Sequence, residues 1–259
     1  MWQALRRHPL PMRTRFGHSL VLTYALPPTV LSPMLSPGLS LDTYRGPDGT
    51  EHAFVAVGIV SALRLRPAPL PATCGVDYVL TGYRIFTRFP TPAGGTMRGL
   101  QILRSDTDRR LMALGGNLLT RYHYRLARMR FETSGSRLSA VVHSRDGRAD
   151  LALTADLASR PAPLPAGSPF ASTADARRFA GPLPYTFDYE AGSESVVVVK
   201  AYRTEWRPEP IAVNVSRLTF FTHGPFSGAH PVLANAFHVT DLDYGWHRGS
   251  LRALDGAAR

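Results

Sequence analysis

Along most of the chain apolar and polar residues alternate with the two-residue period of a strand, and one stretch keeps the spacing of a helix. Residues 16–26 (FGHSLVLTYAL) predict a strand that Pro27 and Pro28 end. A short helix over 29–35 follows, stopped by Pro37 and Gly38, then an extended piece over 39–44, a turn over 46–49 and a buried strand over 52–63. Residues 76–89 and 96–103 predict a hairpin around a turn at 90–95. The helical stretch is 105–117 (SDTDRRLMALGGN), with an N-cap candidate, Leu111, Met112 and Leu114 at helical spacing, and Gly115, Gly116 and Asn117 as its C-terminal stop. Strands over 125–132, 137–144 and 149–155 predict a meander, and a short helix is expected over 173–180. Four consecutive valines make 195–203 (SVVVVKAYR) a strand buried on both faces. One more strand is expected over 211–221, followed by a tail rich in loops. The pattern is strand-dominated and unbroken by repeats or linkers, which predicts one domain over 13–250 with terminal extensions at 1–12 and 251–259.

Composition narrows the class. With 44% hydrophobic and 19% charged residues, the 259-residue chain is globular and not disordered. Its formal charge is +11, yet Lys200 is the only lysine and the arginines are dispersed. A polyanion binder working by counterion release clusters its cations, so the charge argues against a nucleic-acid partner. Cys74 is the only cysteine, which excludes an intrachain disulfide and points to a reducing, cytoplasmic compartment; a buried, inert thiol is expected. The longest run free of charged residues, 16–41, contains four prolines and cannot be one membrane-spanning helix. His223, His230, His238 and His247 lie seven, eight and nine residues apart, which matches no compact ligand pattern. They read as loop histidines, and no metal site is expected.

Three ordered segments carry a resemblance: 26–60 (LPPTVLSPMLSPGLSLDTYRGPDGTEHAFVAVGIV), 109–132 (RRLMALGGNLLTRYHYRLARMRFE) and 196–213 (VVVVKAYRTEWRPEPIAV). They resemble the YqjF-like family of uncharacterised proteins, grouped with the acetoacetate decarboxylase-like superfamily. The resemblance implies an α+β fold, mostly antiparallel β, with strands closed into a barrel-like cone and a few peripheral helices. It also implies an internal pocket. In acetoacetate decarboxylase a lysine after the helix forms a Schiff base. The corresponding stretch here, 120–125 (TRYHYR), has no lysine, and 52–60 lacks the expected carboxylate. Acetoacetate decarboxylation by that route is therefore not expected.

What remains defines the candidate site. His123 offers a general acid or base, with Tyr122 or Tyr124 as a hydroxyl donor, although strand alternation separates His123 from both tyrosines. Lys200 is the one side-chain amine able to form an imine. Arg121 and Arg125 are the expected carboxylate binders, and Trp206 an expected pocket wall. Each has a plainer reading: aromatic packing for the tyrosines, a solvated strand-end lysine, a rigid turn around Trp206. Two functions follow. One is a lyase-like enzyme acting on a small organic acid by acid–base chemistry, without metal or nucleotide cofactor. The other is a non-catalytic module that binds or senses such a molecule on the same fold. Both are compatible with a homo-oligomer.

Overall fold

In the computed structural model the described residues are 2–91, 94–181 and 183–254. Met1, 255–259 and the tip of the turn expected at 90–95 lie outside them. The strands are β1 Met12–Leu26, β2 Ser40–Leu41, β3 Tyr44–Arg45, β4 Glu51–Pro67, β5 Val76–Pro90, β6 Thr96–Thr107, β7 Tyr124–Ser134 and β8 Arg137–Ser144. They continue with β9 Leu151–Asp156, β10 Tyr185–Glu190, β11 Ser195–Arg203, β12 Glu209–Pro210, β13 Val213–Leu218, β14 Val232–Trp246 and β15 Ser250–Ala253. The α-helices are α1 Trp2–Leu5, α2 Pro28–Leu31, α3 Arg110–Leu119 and α4 Thr173–Phe179.

Seven strands pair into a ring in the order β6-β10-β11-β14-β1-β4-β5 and back to β6. All of these pairings are antiparallel except β6 with β10. A second sheet, β7-β8-β9-β13, branches from β6 and packs on the outside of the ring. Strand alternation then sorts the side chains. Val55, Val57 and Ile59 of β4 and Tyr83 and Ile85 of β5 face outward into the main core with Leu138, Leu151 and Leu153 of the second sheet. The residues between them, Ala56 and Val60 of β4 and Arg84 and Phe86 of β5, face into the ring. A register shift between Phe16 and His18 re-aims β1, so that Phe16, Ser19 and Val21 all reach the interior.

The structure departs from the sequence expectations at three places. The tail is no loop: β14 is a central strand paired along its whole length with β1, and His238 lies on it fully buried. Its Ala234–Val239 stretch is buried on both faces, which hides the alternation that marks strands. The helix expected over 105–117 is displaced, because β6 runs on to Thr107 and α3 occupies Arg110–Leu119. Gly115, Gly116 and Asn117 therefore sit inside α3. A Cβ on Gly116 would lie 2.3 Å from Cδ2 of Tyr124, and the Asn117 amide exchanges two hydrogen bonds of 2.8 and 2.9 Å with the Tyr124 backbone. The triplet docks the helix onto the start of β7. Cys74 is exposed, since the proline-rich connection that carries it turns on the surface.

Candidate functional site

All seven ring strands contribute side chains to the lumen, a cavity of about 150 Å³. Among the described residues that line it there is no Asp, Glu, His, Lys or Cys; its charged side chains are Arg84 and Arg203. Around them stand Tyr78, Tyr122, Tyr124 and Tyr244, with Trp206 and Trp246.

Arg84 is placed by two glycines. Gly58 on β4 and Gly82 on β5 are register partners, and a Cβ on either would stand 2.8 and 2.6 Å from the Arg84 guanidinium nitrogens. Without those Cβ atoms the guanidinium settles against the ring wall. Among the described residues no carboxylate pairs with it. Burial lowers its pKa, and the surrounding tyrosines oppose that shift. Arg203 is tied differently: Tyr244 is its hydrogen-bond neighbour, and its Cζ lies 5.1 Å from the centre of the Trp206 ring.

Two further donors face the same space. Trp206 Nε1 is buried without a hydrogen-bond partner, and the buried Tyr122 hydroxyl has Thr186 of β10 as its hydrogen-bond neighbour. Burial pushes the Tyr124 hydroxyl up to about 12 and the Tyr122, Tyr78 and Tyr244 hydroxyls upward as well, so all four stay neutral at ordinary pH. A lumen with a desolvated cation, an unpaired donor and no anion is complementary to a negatively charged group carrying an apolar body.

The structure brings Tyr122, Tyr124 and Trp206 together at this lumen and leaves the other sequence candidates outside it. His123 adopts a left-handed backbone (φ 52°) and points its side chain to solvent between the two inward tyrosines. Partial burial, and then Arg125, lower its pKa. Lys200 is exposed on β11. Arg121 donates to Glu190 at 3.0 Å and stands 4.0 Å from Asp188, and Arg125 donates to Asp146 at 2.5 Å, so both are held in ion pairs. Arg84 is the residue that sequence reasoning missed. Its signal was an arginine in the middle of an apolar strand (LTGYRIF, 80–86) two residues after a glycine. Arg121 and Arg125 drew attention through their neighbours in sequence, and their carboxylate partners lie 69 and 21 residues away.

A second cluster of titratable groups lies off the lumen. Arg160 Nη1 is 3.2 Å from His238 Nδ1, and His238 Nε2 is 3.1 Å from His18 Nδ1. Because a guanidinium only donates, Nδ1 of His238 is the acceptor, and its Nε2–H donates to His18. Arg160 also pairs with Glu209. No group of three metal-ligating side chains occurs among the described residues.

A strand ring with a donor-lined lumen defines the class of fold, and comparison with solved structures gives the same one. Acetoacetate decarboxylase from Legionella pneumophila aligns over 95% of this chain and 88% of its own, with a TM-score of 0.63 and 15% identity. The enduracididine biosynthesis enzyme MppR complexed with pyruvate aligns over 94% and 90%, with a TM-score of 0.58 and 12% identity. An acetoacetate decarboxylase-like enzyme from Sphingomonas wittichii RW1 aligns over 96% and 94%, with a TM-score of 0.57 and 14% identity. The fold is acetoacetate decarboxylase-like, mostly antiparallel β with few helices and a barrel-like ring. Residues 13–240 match the DUF2071 family model, described as an uncharacterized conserved protein (COG2071), and the chain belongs to that family. None of the curated proteins matches it. No helix among the described residues is long and apolar enough to cross a membrane.

Proposed function

We propose that this protein binds a small organic acid in the ring lumen, its carboxylate on Arg84 and its body against the aromatic wall. The observation that carries the reading is Arg84 itself: a desolvated guanidinium with no carboxylate partner among the described residues, in a lumen lined by donors. MppR, which shares the fold, was solved with pyruvate, a molecule of this size and charge. The reading makes the protein a binding or sensing module of the cytoplasm, where a lone reduced cysteine is the rule. It requires no metal and no nucleic acid.

Isothermal titration calorimetry with a panel of small carboxylates tests it. Arg84→Met is expected to abolish binding and, by removing an uncompensated buried charge, to raise stability by about 1 kcal/mol. Binding by Arg84→Met as tight as by the unmodified chain sinks the proposal.

One observation favours a catalytic version. Tyr122 Oη is a neutral hydroxyl at the lumen beside Thr186, placed to give a proton to a bound oxo acid. Acid–base chemistry then falls to Tyr122 and Tyr124, not to His123 or Lys200, and needs no imine. Mass spectrometry of acids incubated with the protein detects the product in this case, and Tyr122→Phe lowers turnover by about a hundredfold while binding persists. Acids recovered unchanged leave the binding module as the function.

A further inference from the structure

The lumen shares a wall with a second cavity. This one has a volume of about 160 Å³ and is formed where the N-terminal segment crosses α3. Met12, Leu65, Met112 and Leu119 supply its apolar lining. Tyr78, Tyr122, Tyr124 and Trp246 line both spaces. The crossing is fixed by two backbone hydrogen bonds, His8 N–H to Leu119 O and Gly249 N–H to His8 O, each 2.9 Å. The two spaces meet at one set of aromatic rings.

The two cavities differ in chemistry. The lumen presents the Arg84 guanidinium without a carboxylate partner and the unpartnered Trp206 Nε1. The second cavity presents no arginine, lysine or carboxylate, and His8 is its one ionisable residue apart from the shared tyrosines. A dry apolar space of about 150 Å³ takes up benzene in another protein. We propose that the two cavities serve one ligand, an amphipathic monocarboxylate whose head lies on Arg84 and whose tail, about the size of a six-carbon ring or chain, lies in the second cavity. The inference rests on the anion-binding reading above and adds the class of acid.

Gly115 provides the test. It shares the inward stripe of α3 with Met112, Gly116 and Leu119, whereas Leu111, Leu114 and Leu118 face solvent. Gly115 lines the second cavity and a Cβ there meets nothing within 4 Å, so Gly115→Leu is expected to narrow that space, and leucine also suits a helix interior better than glycine. Affinities of acetate, butyrate, hexanoate and octanoate are measured by calorimetry for both proteins. In the unmodified chain, affinity is expected to rise about fourfold per added methylene until the tail fills its cavity. In Gly115→Leu the octanoate-to-acetate ratio is expected to fall by about tenfold. Met112→Phe, expected to narrow the same space from the neighbouring turn, gives an independent arm with the same direction. Carboxylates that bind with no dependence on length, or a ratio unmoved by both substitutions, overturn this inference and leave the anion site standing. If no carboxylate of any length binds, the anion reading itself fails and this one falls with it.

Discussion

His238 shows how far a single side chain can be pushed by its surroundings. Burial, then His18 and Arg160, hold it down to about 4, against an ordinary 6.5. His18, which faces it, is lowered mainly by burial, with Asp241 opposing and Arg160 adding to the shift. The unfolded chain therefore takes up protons between about pH 6.5 and 4 that the folded one refuses. The stabilising contribution is complete above that window and is lost as the pH falls through it. Melting temperatures measured across the window are expected to fall, and to fall less steeply in His238→Gln. Identical slopes in the two proteins would refute the assignment. Burial pushes Arg84 in the same direction. Its ordinary value lies so far above neutrality that it stays charged although desolvation works against charge.

At the scale of elements, α3 and the start of β7 form one unit. Gly116 admits the Tyr124 ring and Asn117 clamps the Tyr124 backbone, which together aim Tyr122 and Tyr124 into the lumen. Neighbouring glycines in one helix are therefore expected to behave oppositely. Gly115→Ala meets open space and gains about 0.5–1 kcal/mol from helix propensity. Gly116→Ala drives its methyl into Tyr124 and destabilises by about 2 kcal/mol. Urea titrations of the two variants check the pair, and equal effects would refute the docking role. This is also where sequence reading falls short. Strands exposed on one face or carrying dense valine runs, such as β8 and β11, were legible to the residue, because alternation and composition are local. The end of α3 was not. A Gly-Gly-Asn triplet ordinarily stops a helix, and here the ring of Tyr124, seven residues after Asn117, turns it into a docking face. For the same reason Tyr122, Tyr124 and Trp206 were recognisable as pocket residues from their segment, while Arg84 needed the ring to close before its partnerless position could be seen.

Over the whole molecule the excess of arginine has a structural use. Asp42 accepts from Arg88 at 2.6 Å and Arg98 at 2.7 Å. Asp146 takes both Arg104 and Arg125, and Glu190 takes both Arg7 and Arg121. Each of these carboxylates is shared by two arginines, Arg88 and Arg98 being cross-strand partners on β5 and β6, and the forked guanidinium suits such pairing with planar carboxylates. Glu190 ties the N-terminal segment and the turn before β7 to the ring, and its carboxyl is held at about 2 by Arg7, Ser193 and Arg121. Its contribution is complete above the ordinary 4.5 and is lost as the pH falls toward about 2. Two residues earlier, burial raises Asp188 to about 7, so its contribution has the opposite sign: present below 3.8 and lost as the pH rises through about 7. Glu190→Gln is expected to lose about 3 kcal/mol at neutral pH and to flatten the acid limb of the stability profile. Retention of the full acid limb in urea titrations from pH 5 to 2 would refute this role for Glu190.

The glycine pair beneath Arg84 has a consequence beyond this chain. Gly58 and Gly82 are 24 positions apart in sequence and face each other on different strands. Any Cβ at either position collides with the guanidinium. The three positions are therefore expected to change together across DUF2071 sequences: where the arginine is kept both glycines are kept, and where it is lost either can acquire a side chain. An alignment sorted by that triplet would divide the family into members able to hold a lumen arginine in this position and members that are not. Sequences pairing the arginine with a bulky residue at 58 or 82 would break the rule.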